Sequence, residues 1–195
     1  METARVPRIE RYEQAAVPPE LRDRIRDLEE QAWPSADGGA AEGPAHDPAL
    51  RPLVLVLVDR GTVVASLSVL TKELTHRGRS FVASGLSAVV TDRAERGRGH
   101  GHRLVTAARE AIRNSGADLG LFTCDPPLRG FYEKAGWRVL PGTTLVGGTP
   151  EAPFPSDRFD KVTLADFFTP RSVRYAETFE QARIELYPGE IDKLW

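Results

Sequence analysis

Hydrophobic residues along this chain change period twice, and the changes divide it into blocks. Ile9 to Tyr12 reads as a short first strand. Pro18-Pro19-Glu20 then opens a helix in which Leu21, Ile25, Leu28 and Ala32 recur at helical spacing, and Pro34 stops it. Residues 35–48 are rich in Gly, Ala, Pro and Asp and read as a mobile loop. Leu53–Val58, the turn Asp59-Arg60-Gly61 and Thr62–Leu70 read as strand, tight turn and strand, the second continuing towards Glu73. His76-Arg77-Gly78-Arg79 is another turn, and Phe81–Thr91 a third strand, so the block predicts an antiparallel meander. After a glycine-rich turn at Arg96–Gly101 the period becomes helical: Leu104, Val105, Ala108 and Ile112 form a stripe, with Gly116 as its cap. Leu119–Cys124 reads as a strand, Pro127–Ala135 as a short helix ended by Gly136, Trp137–Leu140 as a strand and Phe159–Leu164 as the last strand. Residues 141–157 are predicted to be a Pro/Gly-rich loop, and residues 170–195 a tail with weak helical character. Strands first and alternating elements afterwards indicate an α+β or α/β fold with one mixed sheet.

Composition narrows the function classes. A length of 195 residues suits a single domain spanning the whole chain. Lys and Arg number 26 against 28 Asp and Glu, a formal charge of −2, which argues against nucleic acid as a partner. A single cysteine, Cys124, excludes an internal disulfide and a Cys-rich zinc site. It reads as a small buried hydrophobe. The longest aliphatic run, Leu53–Val58, falls far short of the about 20 residues that a membrane span needs. The first residues lack the apolar core of a signal peptide. A soluble, cytoplasmic protein without a membrane partner is the resulting expectation.

The chemistry concentrates in Arg96-Gly97-Arg98-Gly99-His100-Gly101-His102, between a strand and a helix. Glycines let backbone N–H groups approach an anion with no Cβ in the way, the helix N-terminus adds partial positive charge, and Arg96 and Arg98 add full charges. A pyrophosphate needs such an arrangement; a solvated basic turn is the plainer alternative. The segment has neither the G-x-x-x-x-G-K-[ST] of a phosphate-binding loop nor the G-x-G-x-x-G dinucleotide fingerprint.

With Val89-Val90-Thr91 before it, Arg96-x-x-Gly99-x-Gly101 resembles the acetyl-CoA motif of the GNAT N-acetyltransferases. Phe131-Tyr132-Glu133-Lys134-Ala135-Gly136-Trp137 resembles a second motif of that family. The resemblance, strongest over Leu53–Leu140, implies the GNAT fold: a mixed, mostly antiparallel sheet flanked by helices and splayed at the acetyl-CoA site. It implies acetyl-CoA as co-substrate and no metal. Val89, Val90 and Thr91 would pair with the pantetheine arm as an added strand would. Arg96, Gly97, Arg98, Gly99, His100, Gly101 and His102 would hold the pyrophosphate. The N–H of Val89 would polarise the thioester carbonyl. Tyr132 would protonate the departing sulfur, its alternative being a tyrosine packed on the sheet. Ser87 stands where many relatives carry Glu, so the base is left open between a water relay, another acid and the terminal carboxylate. Asp125 reads as an N-cap.

The last residues, Tyr187 to Trp195, resemble the close of aminoglycoside 2′-N-acetyltransferases, although Lys193 displaces the acid expected before the final Trp. Asp157, Asp160, Glu190, Asp192 and the terminal carboxylate would then form an acidic wall, with Trp195 also binding substrate, against a cationic amine such as an amino sugar. Solvated surface acids are the plain alternative. His76, His100 and His102 lack metal-ligand spacing. An N-acetyltransferase for cationic small molecules, one for protein amines, and a non-catalytic CoA-binding module are the functions in play. Relatives are often homodimers, which the sequence does not test.

Overall fold

The computed structural model describes residues 6–34, 44–187 and Leu194. The predicted loop at 35–48 is therefore described only from residue 44, where Asp47 caps a short turn at Pro48–Leu50 by accepting from the N–H of Ala49 at 2.8 Å. Ten strands and four α-helices follow from the described residues. They are β1 Arg8–Glu13, α1 Pro19–Ala32, β2 Leu53–Asp59, β3 Thr62–His76, β4 Arg79–Thr91, α2 His100–Asn114, β5 Leu119–Cys124 and α3 Arg129–Lys134. Next come β6 Arg138–Val139, β7 Thr144–Gly148, β8 Pro153–Pro155, β9 Val162–Phe167, α4 Pro170–Tyr175 and β10 Arg183–Glu185.

Seven strands form the main sheet in the order β1-β2-β3-β4-β5-β9-β6. Every neighbouring pair is antiparallel except β4–β5, so the sheet is mixed and mostly antiparallel. The meander forms because each strand alternates two apolar faces. Leu55, Leu57, Leu67 and Val69 pack with Leu104, Val105, Ala108 and Ile112 of α2. Val54, Val56, Val58 and Val90 face the other way and bury Leu28 of α1. Helices thus cover both faces, which explains why strands here read as continuous hydrophobic runs.

The segment expected to be a loop, 141–157, holds β7 and β8. They make a second sheet in the order β10-β7-β8, with β7 parallel to β10 and antiparallel to β8. Glycine and proline hid these strands, and β7's outer partner, β10, comes from about 40 residues further on. The last strand predicted at Phe159–Leu164 is instead β9 at 162–167, because Ser156–Phe159 turns as a 3-10 helix and Asp160 takes φ +50°. The tail read as weakly helical contains α4 and then β10. Phe81, Phe167 and Phe179 form its core with Leu145 and Ile184. His76 joins them, its Nε2–H donating to the Thr178 carbonyl at 2.8 Å and its ring 4.3 Å from that of Phe179. Among the described residues no helix is long and apolar enough to cross a membrane.

Candidate active site

The parallel pair β4–β5 is short. It is in register only at Ala83–Leu119 and Ser84–Gly120. Beyond that point β4 keeps β3 on one side and β5 keeps β9 on the other, so the two strands part and a wedge opens between them. Asp118 pins the closed end. Its N–H donates to the Val82 carbonyl at 2.8 Å, and its carboxylate accepts from the N–H of Val82 at 2.9 Å and the Thr169 hydroxyl at 2.8 Å. Gly120 adds to the pinning, since a Cβ there would run into the Trp137 indole.

One wall of the wedge is the second half of β4. Here the ladder with β3 slips by one residue between Ser66–Val90 and Ser68–Ser87, so Leu67 faces both Ala88 and Val89. Ala88 takes φ +50°, a left-handed conformation that costs roughly 1–3 kcal/mol outside glycine. Such a bulge bends a strand and re-aims the residues beside it. Ser87 and Val89, both singled out from the sequence, flank the bulged Ala88 and are half-buried. Thr91 ends the strand, where its carbonyl accepts from the Arg96 Nε–H at 3.3 Å.

The glycine-rich turn follows directly. Gly97 and Gly99 take φ +80° and +81°, conformations that other residues adopt only under strain. Gly101 is needed for close approach: a Cβ would lie 2.9 Å from Thr91 Oγ1 and 3.4 Å from Phe131. These glycines let the front of α2 lie against the end of β4. Gly99 caps the helix without a side-chain bond. Among the described residues, no protein group accepts from the N–H groups between Gly97 and His102. A row of free amides at the positive end of a 15-residue helix suits a diphosphate. The two guanidiniums differ. Arg96 is held to β4, whereas Arg98 reaches Glu95 at 3.0 Å and stays 60% exposed. His102 turns its ring to the Lys134 carbonyl at 3.1 Å.

Tyr132 sits on the opposite wall. Its ring packs edge-on against Phe122 of β5 and against Phe131, with centroids 5.0 Å apart in each case. Tyr132 and Val89 belong to one apolar cluster, so the structure brings two of the three predicted catalytic positions to the same core. Burial first, then Cys124 and Asp125, push the phenol well above its ordinary pKa, so it stays protonated at neutral pH. Cys124 is buried, and its thiol is pushed up to about 11 by the same desolvation.

Asp125 is not the side-chain cap expected of it. Its carboxylate makes no capping bond and instead pairs with Lys161. That ion pair joins the start of α3 to the turn carrying Asp157 and Asp160, both exposed. Phe159 in this turn stacks on Phe154 at 4.4 Å and is 45% exposed. Glu190, Asp192 and Trp195 lie outside the described residues.

Two features had no sequence signal. Glu29 of α1 carries a carboxyl raised by burial, with nearby His46 and Arg26 opposing the shift. It lies beside Leu28, on the helix that packs across β3 and β4. A hollow lined by His76, Arg77, Gln181 and Arg183 lies at the far end of the β3–β4 hairpin, and no predicted site residue lines it.

Comparisons agree with this geometry. A family model described as an acetyltransferase (GNAT) domain matches residues 17–140. A rice protein, glucosamine 6-phosphate N-acetyltransferase 1, is 38% identical over 87 residues, which are 44% of this chain and 52% of that protein. The chain therefore spans about half the length of that relative. Among solved structures, ElaA of Escherichia coli aligns with a TM-score of 0.58 at 12% identity, covering 82% of this chain and 99% of that one. An acyl-CoA N-acyltransferase from Pseudomonas aeruginosa gives 0.57 at 17% identity, covering 82% and 99%. Glucosamine-6-phosphate N-acetyltransferase of Arabidopsis thaliana gives 0.51 at 20% identity, covering 67% and 90%. The splayed parallel pair, the bulged strand and the amide-lined helix start thus stand on the fold expected of them, and the chain belongs to the GNAT acetyltransferase family.

Proposed function

We propose that this protein transfers an acetyl group from acetyl-CoA to the primary amine of a cationic small molecule, with an amino sugar as acceptor. The observation that carries the reading is the wedge between β4 and β5, with free amides at its mouth and a protonated Tyr132 on its wall. Acetyl-CoA supplies an activated acyl group. The amides from Gly97 to His102, with Arg96 and Arg98, hold its diphosphate. Val89, Val90 and Thr91 offer β4's unpaired edge to the pantetheine arm, as in strand addition. The N–H of Val89 donates to the thioester oxygen; a donor of this kind contributes about 2.7–4 kcal/mol in other enzymes.

The amine nitrogen attacks the acyl carbon, a C–N bond forms, the C–S bond breaks, and Tyr132 gives its proton to the sulfur. The amine's proton needs another acceptor. Ser87 is too weak an acid–base group to act alone. We assign the task to water at the half-buried Ser87, which relays the proton to solvent.

The acceptor class rests on two supports. The rice relative is named for an amino-sugar phosphate. The turn at Asp157 and Asp160 offers negative charge beside an exposed Phe159 face, which suits a cationic sugar ring. An aminoglycoside 2′-amine is the finer form of this proposal and depends on Asp160, Glu190, Asp192 and Trp195. The test is CoA thiol release from acetyl-CoA across glucosamine, glucosamine 6-phosphate, aminoglycosides, polyamines and peptides. Turnover with an amino sugar is expected. Turnover with peptides alone would replace the acceptor class, and CoA binding without thiol release from any amine would leave a non-catalytic module.

A further inference from the structure

Asp59, Glu95 and His100 come from three separate elements: the end of β2, the short turn Arg93–Glu95, and the first residue of α2. The fold brings one potential ligand atom from each within 4.8 Å of the others. His100 Nε2 lies 3.7 Å from Glu95 Oε2. Both atoms are buried and neither makes a hydrogen bond, and the His100 side chain is only 11% exposed. Asp59 makes no hydrogen bond or ion pair among the described residues. Buried polar atoms are ordinarily satisfied; Glu95 Oε2 has the Arg98 guanidinium beside it, whereas His100 Nε2 has no hydrogen-bond partner and calls for one.

The charge pattern sharpens the question. The glycine-rich turn is proposed to hold an anion, yet two carboxylates lie within 4.8 Å of His100 at its helix end. Arg98, at 3.0 Å from Glu95, offsets one of them. Asp59 is left uncompensated beside a place where negative charge is to be bound.

We propose that Asp59, Glu95 and His100 form a divalent metal site of the Zn2+ class, which clamps the β2–β3 turn to the start of α2. One imidazole and two carboxylates are a recognised donor set for Zn2+, with a fourth position left for water. The bound ion turns a net negative cluster into a neutral or positive one, and this favours the diphosphate on the other side of the loop. The metal site itself is independent of the acetyl-CoA reading; only its effect on CoA rests on that reading.

The test uses full-length, tag-free protein stripped with a chelator and titrated with Zn2+ or Co2+ in the absence of CoA. One equivalent per chain is expected, with the visible absorption of Co2+ in a low-coordinate N/O site. Asp59→Asn and Glu95→Gln, shown to be folded by circular dichroism, are each expected to weaken Zn2+ at least about tenfold. His102→Gln, which removes a neighbouring imidazole outside the cluster, is expected to leave Zn2+ affinity unchanged. No stoichiometric uptake by the wild type, or equal affinity in the two carboxylate variants, overturns the site. In a second arm, Zn2+ tightens CoA binding about fivefold or more in the wild type and not in Asp59→Asn. Uptake without that change refutes the coupling. Uptake by a protein that binds no CoA at all keeps the metal site and removes the acetyl-CoA reading.

Discussion

The stretch from Phe81 to Trp137 and the stretch from Pro141 to Tyr187 are built on different physics. In the first, each device is local. The bulge at Ala88, the left-handed Gly97 and Gly99 and the close approach at Gly101 lie in one strand-to-helix junction, and the edge-on Tyr132 joins them from α3. In the second, structure depends on distant partners. β7 exists because β10 lies beside it, and Phe179 is buried by Phe81 and Phe167. The first region carries the proposed chemistry; the second completes a separate part of the core. A site can thus be announced by short motifs while the platform that holds it rigid is not.

Tyr132→Phe gives the largest effect that separates the regions. Turnover is expected to fall by about 10²-fold or more, the usual contribution of a positioned acid, while CoA affinity and melting temperature hold. Equal turnover in this variant would remove Tyr132 from the chemistry and leave it as core packing. The mirror experiment is Phe179→Ala. Deleting a fully buried phenylalanine costs about 3–5 kcal/mol, so the chemical-denaturation midpoint should drop sharply. KM for acetyl-CoA in the folded fraction should not move; a raised KM would mean that the second sheet shapes the site directly.

Gly99→Ala probes the cradle alone. A side chain at φ +81° costs about 1–2 kcal/mol, so CoA binding is expected to weaken by roughly tenfold, read by calorimetry. The smallest and most specific effect concerns Lys72, a buried β3 lysine whose ammonium donates to the Leu186 carbonyl beyond β10. Desolvation lowers its pKa from 10.5 to about 7. The unfolded chain therefore binds more protons than the native one between those values, and stability should climb as pH rises from about 7 towards 10.5. Below that window both states are protonated and the burial cost is present in full. Lys72→Met should abolish the slope in urea midpoints and stabilise the protein at neutral pH.

Much of the first region was legible. Apolar runs and turn glycines located β2 to β5 and α2 to within a few residues, and Gly116, at φ +83°, ends α2 as expected. Residues 141–157 of the second region were read as loop because Pro153-Phe154-Pro155 and Gly147-Gly148 carry turn chemistry while acting as strand residues at a sheet edge. Asp125 shows the same limit on a smaller scale: its position fits a cap, but Lys161, 36 residues away, holds its side chain.

Sequence alone determined the meander, the helix stripe and the glycine-rich turn, because these depend on periodicity and on φ-permissive glycines within a few residues. Only the tertiary structure decided where β4 and β5 separate, that Tyr132 is desolvated against Phe122, and that Asp59 meets His100 across 41 residues of chain. Those outcomes depend on which distant surfaces exclude water together, and no local pattern encodes that.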